Sequence, residues 1–224
     1  MSSNGGLHTG VFARKGQDAM GSFAFLLVLG IVLVWGLFLT GGVAAYTAPL
    51  GMWFNWWQFL VVGLVIPIIG IIIAIKSDNA LVSFVGYNLV VVPFGVILAP
   101  VTLAYTSVVL ENAFMLTGLV TIVMMVLAML MPGLFRGMGR GLFGALVALV
   151  IVRFVQLLIP GLLALTIIDW LAALLFSLYI GYDVSRALDV PKTLDNAVDI
   201  ALDLYLDIIN LFLTILRIMG ASDN

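Results

Sequence analysis

The sequence predicts an all-α integral membrane protein of seven transmembrane helices. Three observations predict it: the composition, the length of the apolar runs, and the placement of lysine and arginine. Of 224 residues, 64% are hydrophobic and 9% charged, with a mean hydropathy of +1.27, far outside the range of soluble domains. About twenty apolar residues cross a bilayer, and seven runs approach or exceed that length: Ser22–Leu39, Trp53–Ile75, Leu81–Thr102, Val108–Met131, Leu142–Ile159, Leu162–Tyr182 and Ala197–Met219. A chain in lipid must satisfy its own backbone, and the alternating pattern of a barrel is absent, so each run is expected to be helical.

The breaks between runs carry turn chemistry: Thr40-Gly41-Gly42, Lys76-Ser77-Asp78-Asn79, Pro132-Gly133, Pro160-Gly161, and the stretch from Asp189 to Asp195 around Pro191. Residues 1–20 read as a polar tail and residues 21–224 as a single transmembrane domain. The tail precedes an apolar run that is too long for a cleaved signal and lacks its cleavage site. Arg14, Lys15, Lys76, Arg136, Arg140, Arg186 and Lys192 all fall in the tail or in the second, fourth and sixth loops, which share a side, while only Arg217 lies near the opposite face. The positive-inside rule therefore puts the N-terminus in the cytoplasm. The last run is cleanly apolar only from Ile208, so a re-entrant segment is the alternative to a full span. Tyr46, Trp53, Trp56 and Trp57 read as an interfacial belt.

Several activities lack the residues they need. There is no cysteine, and the sole histidine is His8, so thiolate chemistry, an H-E-x-x-H zinc site and a Ser–His nucleophile are all without parts. "RGMGRG" at Arg136 to Gly141 lacks a Walker ending and reads as a basic loop touching anionic lipid. No enzyme activity, resident cofactor or nucleic-acid partner is expected; the expected partner is the bilayer.

Function is then sought in charges within the membrane, which are costly there and mark sites by default. Asp199, Asp203 and Asp207 are four apart, so on a helix they line one gently turning face, about 6 Å apart in rise. If the last two helices form a hairpin turning near Asp195, residues equally far from the turn face one another, and Asp183 and Asp207 are each twelve residues from it. Two carboxylates meeting in a low dielectric cannot both stay ionised cheaply, so the pair should share a proton and sense pH. Asp195 and Asp199 are read instead as a solvated turn and a helix cap, with Asp199 and Asp203 also ion-pathway candidates. Arg153 and Asp169 sit at similar depth and are expected to form an intramembrane ion pair, which Glu111 either joins or leaves for the interface. Lys76 is either a snorkelling lysine or a cation that reaches Asp183.

The stretch "SLYIGYD" followed by "LYLDIINLFLTILRI" resembles the signature of the Bax inhibitor-1 family, also called the transmembrane Bax-inhibitor-motif family, in its bacterial form; "VVLENAF" and "GVILAP" add to the likeness. The resemblance implies a bundle of seven helices with the last one central. It also implies a calcium-leak activity governed by an aspartate pair, which by motif position is Asp183 and Asp207, the candidate calcium contacts. In bacterial relatives a basic residue at the end of the second span latches the pair, which makes Lys76 in "IAIKSDNA" the candidate latch here. The family's position for Asp203 is more usually uncharged. A pH-sensitive calcium leak is the leading expectation. The alternative is a non-conducting modulator of a membrane-bound AAA protease or of cell-survival machinery, with contacts carried by the tail and the basic loops.

Overall fold

A computed structural model describes residues 19–50, 55–159 and 165–222. The predicted tail with Arg14 and Lys15, as well as Trp53 and the Pro160-Gly161 break, lie outside the described residues. Among the described residues the regular structure is helical throughout: α1 (Ser22–Thr47), α2 (Trp56–Leu60), α3 (Ile66–Lys76), α4 (Ala80–Leu103), α5 (Ser107–Leu130), α6 (Pro132–Arg136), α7 (Gly139–Leu158), α8 (Leu165–Asp189) and α9 (Leu194–Ser222). Among the described residues six helical stretches are long and apolar enough to cross a membrane: Ser22–Leu50, Trp56–Lys76, Ala80–Leu103, Ser107–Leu130, Gly139–Gln156 and Ile167–Asp189. The seventh predicted span, α9, is not among them. It is the longest helix described and the one strongly amphipathic, with its acids concentrated toward its start.

Several predicted boundaries shift for identifiable reasons. α1 runs straight through Thr40-Gly41-Gly42. Glycine costs a helix only about 1 kcal/mol in water, whereas a broken ladder in lipid leaves polar groups unsatisfied. Thr40 faces inward, donating its hydroxyl to the Val91 carbonyl at 3.2 Å. α2 and α3 form one continuous rod joined by a π turn over Val61–Val65, placed just before Pro67, whose missing N–H interrupts ordinary helical bonding. α9 begins at Leu194, with the Thr193 hydroxyl accepting from the Asn196 amide at 3.2 Å. Thr193, rather than Asp199, therefore supplies the cap. Across the turn, Lys192 closes the end of α8 by donating its ammonium to the carbonyls of Ala187, Leu188 and Val190 at 2.8, 2.8 and 2.9 Å. Burial pulls that ammonium below the ordinary lysine range, and Asp189 opposes the shift.

α9 is the hub. It packs against α1, α4, α5 and α8, and it buries Ala197, Ile200, Ala201, Leu204, Tyr205, Leu211 and Leu216. The second span lies outside this core against α4, and α7 lies outside it against α8. α3 and α4 approach closely because Gly70 and Gly86 face each other: a Cβ on either would stand 2.5–2.6 Å from the other's carbonyl oxygen.

Contacts also gather particular segments around the α8–α9 turn. The Met20 amide donates to the Lys192 carbonyl at 2.8 Å. There too Ser83, at the start of α4, donates to Asp195 at 2.7 Å, and Arg136 grips Asp189 with two bonds of 2.7 Å. Asp195, expected in a solvated turn, is thus buried and bonded, because the α3–α4 turn covers it. Tyr46, Trp56 and Trp57 are exposed, as an interfacial belt requires.

Candidate functional site

α7, α8 and α9 enclose a cleft of about 730 Å³ whose charged lining residues are Arg153, Asp183, Arg186, Asp203, Asp207 and Arg217. Apolar side chains of α7 and α8, among them Leu146, Val150 and Phe176, make much of the remaining wall. Charges therefore sit at two levels of a mostly apolar slot.

The inner level is set by the α8–α9 hairpin. Asp183 and Asp207 are 4% and 8% exposed, and their carboxyl groups lie within hydrogen-bonding reach of one another. Asp207 Oδ2 is shut off from solvent and meets no donor among the described residues. A carboxylate is an acceptor only, so a bond between the two needs a proton on one of them. Thr193 and Lys192 fix the turn that sets the two residues opposite each other.

The same count, applied further, reaches a partner that the sequence reading left in the loop. Arg186 is nine residues before Asp195, and Asp203 is eight after it. In the structure the Arg186 guanidinium is bonded to Asp203 and stands 3.3 Å from Asp183 Oδ1. Asp203, which neither the hairpin nor the motif required, is thus the far end of a clamp across α8 and α9. The expected latch is elsewhere: Lys76 is exposed at the end of α3, a helix packed on α4, and does not line the cleft. Arg186 is the cation that meets the acids, because it rises from the same helix as Asp183, one turn away. Asp199 is half-buried and is not among the cleft's lining residues.

The outer level joins three helices. Arg153 of α7 is bonded to Asp169 of α8, as expected. Arg217 of α9 joins the same carboxylate at 3.0 Å, which the sequence reading, having assigned it only to the opposite face, did not foresee. Glu111 is exposed on α5 and stays out of the cluster. Among the described residues no group of three or more histidine, cysteine or acidic side chains converges to hold a metal.

Residues 14–224 match the model of the family described as inhibitor of apoptosis-promoting Bax1. The chain belongs to the Bax inhibitor-1 family. This Bax inhibitor-1 family member is 37% identical over 106 residues to an uncharacterized protein of Helicobacter pylori, covering 46% of this chain and 45% of that one. It is 37% identical over 91 residues to Protein LIFEGUARD 2 of Arabidopsis thaliana, covering 40% and 38% of the two chains. It is 40% identical over 91 residues to the BI1-like protein of the same plant, covering 40% and 35%. The matches span less than half the length of these relatives. Its apolar helices and its family make this Bax inhibitor-1 protein an integral membrane protein.

Proposed function

We propose that this protein passes cations, calcium foremost, along the α7–α8–α9 cleft, and that a proton shared by Asp183 and Asp207 holds the cleft shut. The observation that carries the reading is the meeting of two buried carboxyls from two helices on the wall of one cleft. With the proton between them, α8 and α9 are tied together. Without it, two carboxylates in a low dielectric repel, and the hairpin is driven apart. Acid therefore favours the tied form and alkali the parted one, a two-state element biased by one proton. Parting also exposes carboxylate oxygens, which suit a hard cation in transit. Arg186 tempers the repulsion by holding Asp183 and Asp203, and serves as the latch.

The cytoplasmic side is assigned to the end that gathers Lys76, Arg136, Arg140, Arg186 and Lys192, by the positive-inside rule, in a bacterial inner membrane. In this reading α9 completes the crossing as the seventh span.

Calcium flux into proteoliposomes against pH tests the gate. Wild type should leak more as pH rises, and Asp183→Asn and Asp207→Asn should flatten that rise. Unchanged flux and pH response in both variants would overturn the reading. The family description names an inhibitor rather than a channel, which supports a second reading: a non-conducting modulator of a membrane-bound AAA protease or of survival machinery. Co-purification of such a partner with Asp207→Asn, and its loss on removal of residues 1–19, would favour that reading.

A further inference from the structure

The two ends of the cleft differ in sign. At the inner end Arg186 pairs with Asp183 and Asp203, and Asp207 lines the cleft with them; at the outer end Arg153 and Arg217 face the single carboxylate of Asp169. Both guanidiniums bond to the same oxygen, Asp169 Oδ1. One arginine would complete an ion pair. The second adds a positive charge with no carboxylate of its own among the described residues, in a setting where an uncompensated charge is costly.

The donors are also only partly used. Arg153 has one further bond, to Gln156 Oε1 at 3.3 Å, and Arg217 one further bond, to Thr214 Oγ1 at 3.2 Å. Each fork of five N–H groups thus keeps about three donors to spare. Gln156, whose oxygen is engaged by Arg153, has its Nε2 buried with no acceptor. Two guanidiniums and an orphaned amide donor at one place form an acceptor-poor, positively charged corner, and planar forks of this kind match the oxygens of phosphate.

We propose that this corner is an anion site that takes a phosphate oxyanion, independent of the Asp183–Asp207 gate. A lipid headgroup is the favoured source. Arg153 stands five residues from the end of α7, flanked by exposed Val150, Ile151 and Phe154. That places its charge roughly 7 Å below the helix end, within reach of a headgroup for a side chain that snorkels. α7 packs on α8, and only 6% of its span is buried in the bundle, so the corner lies beside lipid. A phosphate seated there would cancel the positive charge at the outer mouth, and, on the reading of the cleft as a cation path, would make flux depend on lipid composition.

The test uses the full chain, delipidated in detergent, with two probes: phosphatidylglycerol, read by native mass spectrometry, and inorganic phosphate, read by thermal shift. The lipid should bind at about one per chain and weaken by roughly tenfold or more in Arg217→Gln and in Gln156→Leu. Gln156→Leu leaves all three charges in place and so guards against a folding artefact. Asp169→Asn should bind several-fold more tightly, an effect that mere destabilisation cannot produce. The same variant pattern with inorganic phosphate alone would support the site with free phosphate as its ligand. Binding of both probes that is indifferent to these substitutions, or weaker binding in Asp169→Asn, would overturn the proposal.

Discussion

Arg186 connects Asp183 on its own helix with Asp203 on the next, so replacing it acts on two carboxylates at once. Arg186→Gln should raise the calcium flux reached at alkaline pH, where the gate is open, because the cleft becomes more negative. It should also move the pH profile toward alkali, since removing a nearby cation leaves the shared proton more tightly held. Flux in liposomes against pH checks both shifts. The Arg186–Asp203 pair itself, with side chains 37% and 34% exposed, should contribute only about 0.5–1 kcal/mol in a double-mutant cycle with Asp203→Asn, after solvent screening. A stiffer residue lies behind the cleft. Tyr87 donates to the Val32 carbonyl at 3.0 Å, and a Cβ on Gly36 would stand 1.8 Å from its hydroxyl. Gly36→Ala must therefore displace that ring, and its melting temperature in detergent should fall by the equivalent of roughly 1–3 kcal/mol. Asp183 and Asp207 were legible in the sequence because a hairpin pairs residues by count alone. Arg186 was not, because a positive charge near a helix end has an ordinary topological explanation that hides a second role.

Among the elements, the Gly41-Gly42 step of α1 and the α3–α4 pair use glycine in opposite ways. Gly41 and Gly42 have nothing within 4 Å of an added Cβ, so they interrupt the pattern without serving a contact. Changing both to alanine should raise the melting temperature, with a gain of roughly 0.5–1 kcal/mol per site. Gly70 and Gly86 stand against backbone rather than flexible side chains. Gly86→Val should consequently push α3 from α4 and lower stability by about 1–3 kcal/mol, read by the same melting measurement. The α8–α9 hairpin is the most closely determined of the elements that shape the cleft. Thr193 caps one helix, Lys192 closes the other, and Pro191 keeps the first from continuing. The acids of α9 then divide by register. Asp195 is buried under Ser83, Asp203 reaches Arg186, and Asp207 meets Asp183.

For the molecule as a whole, the absence of cysteine makes topology directly measurable. Single cysteines at Asn79, Gly137 and Asn196 should react with a membrane-impermeant thiol reagent from one side. Cysteines at Thr106 and Ala221 should react from the other. Reaction of Asn196 and Ala221 variants from the same side would make α9 re-entrant rather than a seventh span. Composition, run length and charge placement determined that this chain is a helical membrane protein with its basic loops on one side, because the bilayer imposes those constraints on sequence locally. Hairpin count also set Asp183 and Asp207 at matching distances from the turn. The family resemblance implied a central last helix, but only the tertiary structure decided that four helices surround α9 while the second span and α7 stand outside, and that Arg186 rather than Lys76 meets the acids. It alone decided that Arg217 crosses to Asp169. Those outcomes depend on which faces of distant helices meet, and a stripe of charge along one helix does not say which neighbour will come to cover it.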